Sequence, residues 1–168
     1  MSEEKTPVIV GVGQINDRPE IPAEGRSPIE LMAAALRIAE KDAGQALLAD
    51  ADFLGIVQQI SFREIRDARD PLAAELGIAP ATMLQTEGPN GDSPVMLLNE
   101  AANRVGAGEC RIALLCGAEA LRTAAARAAA CTAWMSWTAR AARANESCDC
   151  RAAAAEEEFR PITAAFRS

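Results

Sequence analysis

The stretch NGDSPVMLLNEAANRVGAGECRIALLCGAEALR, Asn90 to Arg122, decides the fold class. It opens on turn formers, and Ser93-Pro94 then reads as a helix start, a capping residue followed by proline at the first helical position. That helix is predicted to run through Val105. Arg111 to Cys116 is a short apolar run with the character of a strand buried on both faces. Gly117-Ala118-Glu119-Ala120 follows it. Small residues there allow close backbone approach at the carboxyl edge of a sheet, where α/β folds place their ligands.

Upstream, the same alternation recurs. Pro7-Val-Ile-Val-Gly-Val-Gly13 predicts a buried β-branched strand closed by glycines, and a loop from Asp17 to Arg26 follows. Ser27-Pro28-Ile29-Glu30 predicts a capped helix start. Leu31, Ala35, Leu36 and Ala39 supply its apolar face, and Gly44 its stop just beyond Ala43. Phe53 to Ile60 is a second strand candidate, Asp70-Pro71 opens a short helix ending near Gly77, and Ala81 to Thr86 is a third, weaker strand. The order β-α-β-α-β-α-β calls for right-handed crossovers and a layered α/β sheet.

Composition narrows the function. The chain has 168 residues, nearly half of them hydrophobic and about a quarter charged, the balance of an ordinary globular domain. A net charge of −7 leaves no basic stripe to displace counterions from nucleic-acid phosphates. No apolar run reaches the ~20 residues of a membrane span, and the Met-Ser-Glu-Glu-Lys start does not read as a signal peptide, so the cytoplasm is the expected location. Five cysteines, with Cys110 and Cys116 in apolar runs, do not form a disulfide framework. Cys148-Asp149-Cys150 lacks the spacing of a zinc site, and no metal is expected.

There is no histidine. Imidazole titrates near the working pH of most enzymes, so its absence removes the Ser/His and Cys/His nucleophile arrangements together. Gly11-Val-Gly13-Gln-Ile-Asn16 offers two glycines after a strand but has Asn16 in place of the third small residue. Prolines 19 and 22 occupy the place where a dinucleotide site needs a helix, which sets NAD binding aside. The loop Gly88 to Pro94 is the stronger candidate. It delivers the chain to a helix start whose free N–H groups can stabilise a thiolate, an oxyanion or a phosphate; Asp92 or Ser93 as a simple cap is the alternative reading. Glu119 reads either as a network-forming carboxylate or as the first polar residue after a strand.

These pieces, in this order, resemble the N-terminal half of the thiolase superfamily, in particular its acetyl-CoA acetyltransferase-like branch. The matching text is TPVIVGVGQ (Thr6–Gln14), SPIELMAAALRIAEKDAG (Ser27–Gly44), NGDSPVMLLNEAANRVGAGE (Asn90–Glu109) and RIALLCGAEALR (Arg111–Arg122). The resemblance implies one of two similar halves of a five-layered fold and acyl transfer to or from coenzyme A, a thioester substrate rather than a bound cofactor. It also implies a nucleophilic cysteine at the N-terminus of the third helix. That position falls on Gly91, which leaves Asp92, Ser93 and Glu119 as weak catalytic candidates and no base to activate them. The family's Gly-His-Pro and Cys-x-Gly segments, carried by its second half, are missing.

Residues 1–122 therefore read as a thiolase-like half-domain. In residues 123–168, 17 of 46 positions are alanine, and both tryptophans and three of the five cysteines fall there. This tail reads either as an Ala-rich appendage, helical on propensity from Ala124 to Ala144, or as a segment translated out of frame after a shift near residue 125. Two functions remain open at this point. One is a truncated acetyltransferase-like chain, inactive alone; the other is a non-catalytic binding or scaffold subunit needing a thiolase-like partner chain. Either exposes apolar surface around Met83–Thr86, so self-association is expected.

Overall fold

The computed structural model describes residues 6–88 and 90–146, with side chains as far as Met135. Its elements are α1 (Pro28–Ala43), β1 (Phe53–Ile56), α2 (Arg69–Leu76), β2 (Thr82–Gln85), α3 (Ser93–Ala107), β3 (Ala113–Cys116) and α4 (Leu121–Glu146). The chain divides into two units, Met1–Cys131 and Thr132–Ser168. In the first, three parallel strands lie in the order β2-β1-β3, with Phe53 in register with Thr82 on one side and Ala113 on the other. In the second, the described residues continue the helical backbone as far as Glu146.

The central strand carries the core. Phe53, Leu54 and Ile56 are wholly buried, each side chain worth roughly 1.5–3 kcal/mol removed from water. Leu54 and Ile56 pack with Met32, Ala33 and Leu36 of α1 and Leu72 of α2. Phe53 points to the other face with Ala101 and Cys110, and the Arg104 guanidinium lies 5.2 Å from its ring centroid. At position 55 a Cβ would crowd Leu115 and Phe53, so glycine lets the neighbouring strand and α3 close in.

The α1 start forms as its sequence predicts. Ser27 Oγ accepts from the Glu30 N–H, and the Glu30 carboxylate accepts from the Ser27 N–H at 2.8 Å. These contacts hold the Glu30 carboxyl below its ordinary 4.5. Gly44 ends the helix in the left-handed region at φ 70°. Two other helix starts differ from expectation. The second helix begins at Arg69, so Asp70 lies in its first turn rather than capping it. The third has Asp92 at its cap position without a side-chain bond, because the Asp92 backbone stays in the α region and cannot aim the carboxylate back. The second strand candidate stops at Ile56, where the chain turns out of the sheet.

The larger correction concerns Pro7–Gly13. This segment forms no strand, and Val8, Ile9, Val10 and Val12 are 60–73% exposed. It lies against α1 instead: a Cβ on Gly11 would overlap the Ala39 carbonyl oxygen, and one on Gly13 the Ala35 carbonyl oxygen. Two residues thus cover the roughly 6 Å between positions four apart on a helix, close to the ~3.3 Å per residue of extended chain. The run is extended and β-branched as its sequence demands, but no strand lies beside it to pair with. Among the described residues its one backbone hydrogen bond to the body is the Val12 N–H donating to Asp42 Oδ2 at 2.9 Å.

Gly13→Ala is therefore expected to lift the segment from α1. Global stability should fall by no more than about 1–3 kcal/mol, while exchange of the Val12 amide accelerates markedly. Denaturant melts paired with amide hydrogen exchange test this; an unchanged Val12 rate would show that the glycine contact does not hold the segment.

Candidate functional site

The carboxyl ends of β1 and β3, the start of α3 and the Gly11–Gly13 segment surround a groove of about 830 Å³. Its walls are mostly carbon: Val12, Ala35, Ala39, Leu97, Leu115 and Ala118 among others. Polar groups in the lining come from Gln58, Asn90 and Glu119.

Glu119 is network-forming, although the residue is exposed. Its Oε1 accepts from the Ile60 N–H at 2.9 Å and its Oε2 from the Ser61 N–H at 3.1 Å. Ser61 Oγ in turn accepts from the Ala120 N–H at 3.0 Å and donates to Gln59 Oε1 at 3.0 Å. The Gln59 amide is buried; it accepts from the Phe62 N–H at 2.7 Å and donates to the carbonyls of Phe62 and Ile65 at 2.8 and 2.9 Å. One carboxylate and one amide thus satisfy the backbone of the turn that follows β1 and clamp it to the turn that follows β3. Both carboxylate oxygens of Glu119 are engaged, which suits positioning rather than proton transfer.

Sequence reading missed Gln59 and Ser61. The available signal was a pair of polar residues at the end of an apolar strand, and it does not reveal a partner about sixty positions away. Asp52 is a similar case. Its Oδ2 accepts from the Arg111 and Ile112 N–H groups at 2.8 and 3.0 Å, holding the entry to β3 and lowering its own carboxyl pKa.

The four sequence candidates are not brought together. Glu119 reaches the groove, whereas Gly91, Asp92 and Ser93 do not line it. Ser93 is buried, and its Oγ donates to the Gly88 carbonyl at 3.1 Å, fastening the loop from within. Pro89 and Cys148-Asp149-Cys150 lie outside the described residues. Gly91 is exposed and outside the left-handed region, and a Cβ there would meet none of the described residues within 4 Å. The backbone does not require glycine at that position.

The groove does contain a thiol, that of Cys116. Its Sγ donates weakly to the Gly55 carbonyl at 3.8 Å, and burial pushes it up to about 12. A thiol so placed stays protonated and is a poor nucleophile. Burial also pushes Cys110 up. Among the described residues no group of three or more histidine, cysteine or acidic side chains could hold a metal, and no helix is long and apolar enough to cross a membrane.

Alkylation tests this environment. Near neutral pH iodoacetamide should label the exposed Cys131 and leave Cys116 unlabelled in the native chain. Because the native thiol titrates at about 12 against an ordinary 9.0, the unfolded chain releases this proton first. The stability held at Cys116 is then complete below pH 9 and declines as pH rises toward 12, and this decline should vanish in Cys116→Ala.

No family model matches the chain, and no curated protein does. Among solved structures, it is similar to a monomeric SCP2-thiolase-like protein type 1 from Mycobacterium smegmatis. The TM-score is 0.55 and the identity 28%, over 68% of this chain and 23% of that one. The chain thus spans about a quarter of the length of the protein it matches. With its parallel sheet layered between α1 and α2 on one face and α3 on the other, it has part of a thiolase-like fold.

Proposed function

We propose that this is a thiolase-like protein of the acetyl-CoA acetyltransferase kind that does not transfer acyl groups on its own and works in the cytoplasm with a second thiolase-like chain. Gly91 carries this reading. At the helix start where the resemblance puts a thiol, the described residues leave room for a Cβ and the backbone is not left-handed, yet there is no side chain. Packing does not exclude a cysteine there, so its absence points to a protein whose role does not use one. The Cys116 thiol in the groove is held protonated by burial, and the sequence has no histidine to activate a hydroxyl. The apolar groove favours the binding-subunit reading over that of a merely truncated enzyme, because it offers a built surface beside the turn that Glu119 clamps.

Thioester absorbance with acetyl-CoA and acetoacetyl-CoA provides the test. No turnover above the blank is expected from the native chain. Gly91→Cys should fold with stability changed by less than about 0.5 kcal/mol and still show none, lacking a base. Turnover by the native chain would overturn the reading.

Apolar side chains outside the groove give a further expectation. Leu84 on the outer strand β2 and Val95, Met96 and Leu98 on α3 are all exposed. A surface of this kind promotes association in dilute buffer. Light scattering should show the weight-average mass rising with concentration; a constant monomer mass up to millimolar protein would exclude self-association.

A further inference from the structure

A small core of its own lies where α1, the turn after β1 and the entry to α4 meet. Leu31, Phe62 and Ala120 are its buried members, and Ile15 and Ala124 pack at its margin. Beside it runs the loop from Asp17 to Arg26, which closes on itself. The Arg26 N–H donates to Asp17 Oδ2 at 2.7 Å, and the Gly25 N–H to the Pro22 carbonyl at 3.2 Å. Arginine side chains of α4 tie this loop down. Arg122 donates to the Pro19 carbonyl at 3.1 Å. Arg127 donates from Nε to the Ala23 carbonyl at 3.0 Å and from Nη2 to the Gly25 carbonyl at 2.9 Å. The same guanidinium lies 5.5 Å from the Phe62 ring centroid. A Cβ on Gly25 would overlap Oγ1 of the buried Thr123, so loop and helix meet closely there as well.

We infer that Arg127 is a latch: the Asp17–Arg26 loop, the turn from Ile60 to Ile65 and the first two turns of α4 open and close as one cooperative unit, at lower free energy than the sheet. The guanidinium is a rigid plane that forks to two carbonyls with its charge over a ring, and that arrangement exists only while all three segments are seated. Lifting any one of them removes the partners of the others. The turn is itself held by side chains. Its Phe62 N–H donates to Gln59 Oε1, its Ile60 and Ser61 N–H groups to Glu119, and Ser61 Oγ accepts from the Ala120 N–H. Segments wired by side chains around a small core open more readily than a strand with a hydrogen-bonded neighbour on each side. Because Glu119 clamps this turn and also lines the groove, the seating of α4 is coupled to the groove's polar lining. The latch is independent of whether the chain transfers acyl groups.

Native-state amide exchange of the full chain at low guanidinium chloride concentration is the test. The amides of Gly25, Ser61 and Phe62 should share one opening isotherm, lying below that of Val57, whose N–H donates to the Cys116 carbonyl at 2.8 Å. Arg127→Gln should accelerate those three amides by a common factor of at least about tenfold and leave Val57 within about twofold of its native rate. Arg127→Lys should behave like the glutamine variant, since an ammonium cannot fork to both carbonyls while covering the ring. Separate isotherms for the three amides in the native chain would overturn the latch, because the loop and the turn would then open independently. Acceleration of Gly25 alone, equal acceleration of Val57, or full recovery by lysine would overturn it too. These outcomes would show a local tie, a general effect on stability, or a role for charge alone. If Arg127→Gln does not fold, the native isotherms decide.

Discussion

The structure depends on β1 having a hydrogen-bonded parallel neighbour on each side and a helix layer on each face. Four residues, Phe53 to Ile56, serve as the common wall of two cores, and all four are buried. Parallel strands cannot be joined by tight turns, so each neighbour must return by a crossover. Those crossovers are α2 and α3. Placing β1 at the centre therefore brings the turns after β1 and β3 side by side at the carboxyl edge.

That adjacency creates the polar clamp. Two turns side by side present more N–H and C=O groups than they can satisfy between themselves, and unmade bonds in such a place cost about 1–3 kcal/mol each. Glu119, Gln59 and Ser61 supply the missing partners. Their arrangement explains why a conspicuous carboxylate at the end of a strand serves as scaffold here. The groove beside it combines the polar groups of Gln58, Asn90 and Glu119 with apolar walls, one of which is the segment around Gly11–Gly13.

Local chemistry was legible where the deciding interaction is short-range. The Ser27-Pro28-Glu30 start and the Gly44 stop of α1 follow from bonds within a few residues. The Ala-rich run beyond Thr123 admits a helix on propensity and equally an out-of-frame segment; α4 covers Leu121–Glu146, and a helix there is compatible with either origin. β1, β2 and β3 are legible too, each by its apolar run, though Phe53–Ile60 overshoots the strand because the turn after Ile56 is held by Glu119, 59 positions beyond Ile60. Asp92 and Asp70 misled as caps. Residue type permits a cap, but backbone dihedrals decide whether the side chain can reach back.

The sequence by itself determined the alternation of strands and helices, the absence of imidazole and the missing thiol at position 91, because these are properties of residue type and spacing. Tertiary structure alone decided that Pro7–Gly13 lies outside the sheet, that Cys116 is locked as a thiol, and that Glu119 is consumed by two backbone amides. The physical reason is common to all three. Whether a β-branched run pairs, a thiol ionises or a carboxylate is free depends on what lies within a few ångströms, and here those neighbours come from 22 or more residues away in the chain.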